Sequence, residues 1–271
     1  MSDFVVGDVS GYKKSFDSLI KKDFISRIIA LGDIIDRGPE SRQMIEFFMN
    51  NPQHQTLMGN HEHMMIKAYE NVVNGLRSPY YTLIWVYVNG GKETLESYGV
   101  SVPALTEDRR AMLNMTKDQR EKILESPEIK DLYSQFSKIP VEHIQFLKSL
   151  PLYLETNKAF MSHAPIKNWR EPKLFQYKAF DENELLLDLG CLWNRSNPNK
   201  QRLDKKLFIY GHENKNKVLA HTKKHPNGIY VDILDMTLPK GTWGVCIDTM
   251  KAGFLTGLRL DDLSLHYSII D

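Results

Sequence analysis

Five short polar clusters, each at the end of an apolar run, carry the side chains that could do chemistry: Gly7-Asp8-Val9-Ser10-Gly11, Gly32-Asp33-Ile34-Ile35-Asp36-Arg37-Gly38, Gly59-Asn60-His61-Glu62, Ser162-His163-Ala164 and Gly211-His212-Glu213. Carboxylate, imidazole and amide-oxygen donors gathered in one place suit a hard or borderline divalent ion such as Mn2+, Fe2+, Zn2+ or Mg2+. No thiolate competes for that role. Taken singly, a Gly-Asp is ordinarily a turn and a histidine near a strand end is ordinarily structural. Position raises the signal, because Asp8, Asp33, Asn60, His163 and His212 each follow a stretch of strand character, and strand ends are where an α/β sheet presents ligands to a crevice. Together the clusters read as a site for two divalent metal ions.

The elements that must position these residues are legible as short apolar or β-branched runs. Phe4-Val6, Ile28-Leu31, Thr56-Met58, Ala159-Met161, Leu207-Tyr210 and Gly244-Ile247 read as buried strands. Between the first two, Phe16, Leu19 and Ile20 recur at helical spacing over Tyr12-Lys22. Ser41-Met49 repeats the pattern with Met44, Ile45, Phe47 and Phe48. Strand and helix therefore alternate, as in a layered α/β fold. From about residue 64 to 150 the strand signal fades. Arg109-Leu113, Lys117-Leu124 and Val141-Leu150 read there as helices broken by Pro103, Pro127 and Pro140, a helical insert or cap within one catalytic domain spanning 1–271. Gly253-Leu260 and Leu263-Ile270 predict two closing strands joined through Asp261-Asp262. Pro172-Lys178 and Asn194-Lys206 read as polar loops, and the stretch from His221-Thr222-Lys223-Lys224-His225 to Trp243 as an inserted, solvated connection near the site.

Composition sets the remaining bounds. The 271 residues are 42% hydrophobic and 25% charged, and Lys+Arg 35 nearly balances Asp+Glu 34, so there is no charge footprint for nucleic acid or an anionic membrane surface. No apolar run reaches the roughly 18 residues of a membrane span, and none near Met1 resembles a cleavable leader. The two cysteines, Cys191 and Cys246, lack metal-type spacing and argue against a disulfide framework, which makes a reducing, cytoplasmic setting the expectation.

The ordered set Gly-Asp-x-x-Gly, Gly-Asp-x-x-Asp-Arg-Gly, Gly-Asn-His-Glu, His and Gly-His resembles the phosphoprotein phosphatase branch of the calcineurin-like metallophosphoesterases. Nearest are the small bacterial and bacteriophage enzymes of the lambda phosphatase type. The resemblance spans nearly the whole chain and includes His63-Met64-Met65, Trp85 with Asn89-Gly90-Gly91, Leu192-Trp193-Asn194-Arg195, Phe208-Ile209-Tyr210 and Ile247-Asp248-Thr249. Symmetrical diadenosine tetraphosphate hydrolases share the framework. The resemblance implies a four-layer αββα sandwich of two facing sheets flanked by helices. It also implies hydrolysis of a phosphate monoester on protein Ser/Thr or a small molecule, or alternatively of a dinucleoside tetraphosphate.

Carried over residue by residue, the resemblance makes Asp33 a carboxylate shared by two ions. Asp8 would hold the first, and Asn60, His163 and His212 would complete the second. Manganese is the leading candidate, with iron, zinc and magnesium as alternatives. His61 is implied as the general acid, Asp36 as the group orienting it, and Arg37 and Arg195 as phosphate-gripping arginines whose planar forks bind two oxygens, with Asn60 also facing the phosphate.

One residue departs from that pattern. Ser10 stands where the family has a histidine ligand of the first metal, and a neutral hydroxyl is a poor ligand, so weaker occupancy is expected there. His63 could act as a substitute ligand but reads better as a polar residue of a helical turn. Three readings of Ser10 stay open: a working variant, an inactive relative that binds a phosphorylated ligand, and a deliberate substitution. The intact Asp36, Arg37, His61, His163, Arg195 and His212 favour the enzyme.

Overall fold

The computed structural model describes residues 2–23, 25–75, 79–105, 109–166, 190–195, 198, 206–232 and 237–270. Its strands are β1 (Ser2–Val6), β2 (Ile25–Ala30), β3 (Gln55–Thr56), β4 (Tyr153–Glu155), β5 (Ala159–Ser162), β6 (Leu207–Tyr210), β7 (Val218–Thr222), β8 (Ile229–Val231), β9 (Thr242–Cys246), β10 (Phe254–Arg259) and β11 (Leu265–Ile269). They form a five-stranded sheet in the order β11-β10-β1-β2-β3 and a six-stranded sheet in the order β4-β5-β6-β9-β7-β8.

The two-residue period of a strand decides how the sheets pack. Val5 pairs across the ladder with Ile29 and Leu258, and Ile209 pairs with Met161 and Val245. These two rows belong to one buried cluster, which makes it the filling between the sheets. Their chain neighbours Phe4, Val6, Ile28, Ala30, Phe160, Phe208 and Tyr210 go to the opposite faces and join a second cluster with the helices. Each fully buried aliphatic side chain contributes about 1.5–3 kcal/mol, so a one-residue slip that exchanged the faces would forfeit a whole row.

Helices α1 (Lys13–Ile20) and α2 (Ser41–Asn50) bury Phe16, Leu19, Met44, Ile45 and Phe48. Between β3 and β4 the described chain is helical: α3 (Asn60–Val73), α4 (Pro79–Val88), α5 (Gly91–Ser97), α6 (Arg109–Leu113), α7 (Lys117–Leu124), α8 (Pro127–Ser134) and α9 (Val141–Ser149), with a short 3-10 turn before α9. Pro127, expected to interrupt a helix, instead begins α8, where a missing N–H costs nothing. Ser126 caps that helix by accepting the N–H of Ile129. A last short helix, α10 (Gly190–Trp193), adds the buried Cys191 and Leu192 to the helix-side cluster.

The expected solvated connection after His221 is partly a correction. His221 is fully buried in β7, its ring between the hydroxyl of Tyr210 (2.7 Å) and the carbonyl of Pro226 (3.0 Å), and β7 pairs with β8. Much of the rest is solvated as expected: residues 223–227 are exposed, as are Ile229 and Tyr230 of β8. The expected Pro172-Lys178 loop and most of the Asn194-Lys206 loop lie outside the described residues.

Candidate active site

Strands β1, β2 and β3 are parallel to one another in one sheet, as are β5, β6 and β9 in the other. Asp8, Asp33, Asn60, His163 and His212 all follow carboxyl ends of these strands. So does Asp248, two residues beyond β9, to which the sequence motif gave no role. The turns that aim them are strained. Ser10, Asp33, Asp36, Arg37 and His212 have φ of 48°, 48°, 71°, 64° and 66°. Non-glycine residues rarely adopt such conformations, which cost about 1–3 kcal/mol each and persist only where surrounding structure enforces them.

The enforcement is visible. Backbone N–H groups of Ser10, Gly11 and Gly38 donate to the carbonyls of Asp33 (2.7 Å), Ile34 (2.9 Å) and Ser10 (2.9 Å), zipping the first two clusters together. The buried carboxylate of Glu62 accepts the N–H groups of Asp33, Ile34 and Gly59, all at 2.8 Å, and so ties the second cluster to the start of α3. Burial, followed by the charge of Asp33, still pushes Glu62 up to about 8. Glycine is required where a carboxylate meets backbone. A Cβ at Gly59 would lie 2.2 Å from Asp33 Oδ1, and one at Gly211 would lie 2.2 Å from Asp8 Oδ1.

Asp33, His163 and His212 each present a donor atom within 4.8 Å of the others. Asn60 Oδ1 lies 2.9 Å from His163 Nε2 and 2.8 Å from His212 Nδ1. His163 donates its Nδ1–H to the carbonyl of Leu31 (2.9 Å), which leaves Nε2 with its lone pair turned toward Asn60 and Asp33. Burial lowers the pKa of His163. Burial, then the charge of His163, holds His212 at about 3, so both imidazoles are in the neutral, metal-binding form. Burial would raise Asp33, but in the acid range, where the surrounding imidazoles carry a proton, their charge and that of Arg37 overcome it and set this carboxyl at about 2. Two neutral imidazoles, an ionised carboxylate and an amide oxygen from four separate segments fit a divalent cation. Asp33, Asn60, His163 and His212 would hold it.

The Asp8 side is different. Asp8 is not in that group; its carboxylate accepts the N–H of His212 at 3.1 and 3.2 Å. Burial, then Asp248, then Asp33, raise its pKa well above the usual carboxylate range. Asp248, which accepts the N–H groups of Asn214 and Met250, is raised chiefly by burial. The fully buried Ser10 hydroxyl is 3.0 Å from Arg37 Nη1 and accepts its hydrogen bond.

His61 and Asp36 come together as expected, with Nδ1 and Oδ2 2.6 Å apart. Asp36 is fixed by the indole N–H of Trp85 (2.9 Å) and the hydroxyl of Thr94 (2.6 Å), two residues whose roles the sequence did not disclose. On the other side of the ring, Nε2 lies 2.7 Å from Arg37 Nη2. A guanidinium can only donate, so Nε2 accepts and the imidazole proton is on Nδ1, facing Asp36. Arg195 is exposed, yet close enough for its charge to act on His212. Near it the Trp193 ring stands edge-on to His212, centroids 6.1 Å apart. His63 is buried and lies outside the ion-binding group.

The chain is similar to known phosphoesterases in sequence and in fold. A family model described as calcineurin-like phosphoesterase matches residues 4–216. Over 71 residues, 25% of this chain, the sequence is 39% identical to serine/threonine-protein phosphatase 2 of Escherichia coli K12. Over 86 residues, 30% of the chain, it is 28% identical to the symmetrical bis(5'-nucleosyl)-tetraphosphatase of Buchnera aphidicola. Each match spans 32%, about a third, of the relative's length. In fold, the chain is similar to a metallophosphoesterase from Sphaerobacter thermophilus, with a TM-score of 0.51 at 13% identity over 100% of this chain and 88% of that one.

Proposed function

This chain belongs to the calcineurin-like phosphoesterase family, and from that premise we propose that it hydrolyses phosphate monoesters by metal-assisted attack of water, with phosphorylated Ser/Thr side chains as its substrate class. The observation that carries the reading is the placing of the His61–Asp36 pair beside the Asp33, Asn60, His163 and His212 donor set.

Divalent ions bound at such a set, manganese first among the candidates, would supply Lewis-acid stabilisation of phosphate oxygens and a more acidic water. Asp33, Asn60, His163 and His212 would hold one ion. On the other side a second would have Asp8 and Asp33 but no good ligand at Ser10. The protein's own groups divide the rest of the work. Arg37, and Arg195 from the rim, bind phosphoryl oxygens. When Arg37 turns to the phosphate it frees Nε2 of His61 to take up a proton from solvent, and the imidazolium so formed gives that proton to the departing alkoxide. Asp36 fixes the ring and balances the charge of the imidazolium.

The Buchnera relative favours one second reading, cleavage of a symmetrical dinucleoside tetraphosphate. Inorganic phosphate released from a phosphopeptide, set against ADP formed from diadenosine tetraphosphate, separates the two. Binding of either without turnover at any Mn2+ concentration would instead identify a phosphate-binding protein that has lost catalysis. Among the described residues no helix is long and apolar enough to cross a membrane. The two free, buried cysteines support placing the protein in the cytoplasm.

A further inference from the structure

Two loops at the wall of the site are pinned to one residue. The Asp248 carboxylate accepts the N–H of Asn214 on Oδ2 and that of Met250 on Oδ1 (3.3 Å), and the Asp248 carbonyl accepts the N–H of Lys215 (3.0 Å). The first loop follows β6 and carries His212; the second is the 3-10 turn Met250–Ala252, which starts two residues after Asp248. The space between them therefore adjoins the His212 wall of the site.

That space is an open groove of about 580 Å³, lined by both loops and by Tyr230 of β8. A volume of that size takes several side chains, not one phosphoryl group. The lining holds three lysines, Lys215, Lys217 and Lys251, against one carboxylate, Glu213. Glu213, only 9% exposed, is taken up by Lys215 at 2.5 Å. Lys217 meets Asp232 at 3.0 Å, but both side chains are about half exposed, and so exposed a pair is weak enough to open for a competing carboxylate. Lys251 is exposed and has no acidic partner among the described residues. Charges balance over the whole chain, so this excess of lysine is a property of the groove and not of the composition. Tyr230, 60% exposed on the outermost strand of its sheet, adds an aromatic face with a polar tip.

Resting on the phosphomonoesterase reading above, we propose that the groove docks acidic residues that flank the phosphorylated Ser/Thr of a peptide, with Lys217 and Lys251 as specificity-determining residues. A peptide carboxylate displaces Asp232 from Lys217, and another pairs with Lys251. The Asp248 brace fixes where those contacts stand relative to His212, and so to the phosphoryl group. Being remote from the reacting atoms, the groove acts through KM and leaves kcat alone.

The test is phosphate release in Mn2+ from three phosphoserine peptides of equal length with Glu, Ala or Lys at the flanking positions, beside p-nitrophenyl phosphate, which has no flanking residues. For wild type, KM should be lower by about tenfold for the Glu peptide than for the Ala peptide and highest for the Lys peptide. Lys217→Glu with Lys251→Glu should reverse that order and turn over p-nitrophenyl phosphate as wild type does. The same order in both proteins, or no order in wild type, would overturn the proposal and leave the hydrolase reading standing. A defect of the double variant confined to cleavage of diadenosine tetraphosphate would assign the groove to a nucleotide and overturn it as well. No turnover of the peptides or of p-nitrophenyl phosphate by wild type would overturn the hydrolase reading, and the proposal with it.

Discussion

Nδ1 of His61 lies 2.6 Å from Oδ2 of Asp36, and both side chains are buried. Because Trp85 bonds Oδ2 and Thr94 bonds Oδ1 of Asp36, the carboxylate is held from both oxygens, and the imidazole presents Nε2 to the site in one orientation. Asp36→Asn keeps the shape but can reverse the tautomer. It should lower kcat by about 10²-fold or more with little change in KM, the mark of a group that acts in the transition state. A rise in KM at unchanged kcat would place Asp36 in substrate binding instead.

Thr94→Val tests the support of that pair. The hydroxyl bonds Asp36 Oδ1 at 2.6 Å and accepts the Asp36 N–H at 3.0 Å, so its loss leaves buried polar groups unpaired. The variant should lose about 1–3 kcal/mol of stability to urea and also show reduced kcat. Full stability with full activity would show that Asp36 needs no such anchor.

Glu62 joins the second cluster to α3 through three backbone N–H groups. Glu62→Gln, whose amide nitrogen cannot accept, should destabilise the metal-free protein by about 1–3 kcal/mol and weaken Mn2+ binding, because Asp33 is aimed by that junction. Calorimetry on both proteins measures each effect. Unchanged Mn2+ affinity would separate Glu62 from the positioning of Asp33.

Burial, with a smaller contribution from Lys67, holds His63 at about 3, against 6.5 for a free histidine. The folded state resists a proton that the unfolded chain accepts, so the stability this side chain contributes is complete above pH 6.5 and is lost progressively as pH falls toward 3. His63→Asn should therefore make the acid limb shallower by about one proton, about 1.4 kcal/mol per pH unit within that window. Urea unfolding of both metal-free proteins across the range provides the comparison. Parallel limbs would mean that His63 is protonated in the fold.

Legibility in the sequence followed the physics of each feature. Asp8, Asp33, Asn60, His163 and His212 could be found because a polar residue directly after an apolar run is a local signal, and parallel strands bring such ends to one edge. The helical turn expected at His63 is the first turn of α3, but the length of that helix was not legible, because its first turn buries Asn60, His61, Glu62 and His63 and erases the usual polar and apolar stripes. The roles of Asp248, Thr94 and Glu62 depend on contacts far apart in sequence, such as Thr94 to Asp36 across 58 residues, which no spacing rule reaches. The absence of an imidazole at Ser10 was plain in the sequence. Its pairing with the Arg37 guanidinium was not, because that contact needs the left-handed turns at both residues.

The central claim is metal-dependent phosphoester hydrolysis with His61 as the acid, and its most direct test is inorganic phosphate release from a phosphoserine peptide in Mn2+. Wild type should turn over, chelation should stop it, Mn2+ should restore it, and Asp33→Asn and His61→Ala should each lower kcat by about 10²-fold or more. Turnover that survives chelation, or that is unchanged in both variants, would contradict the account.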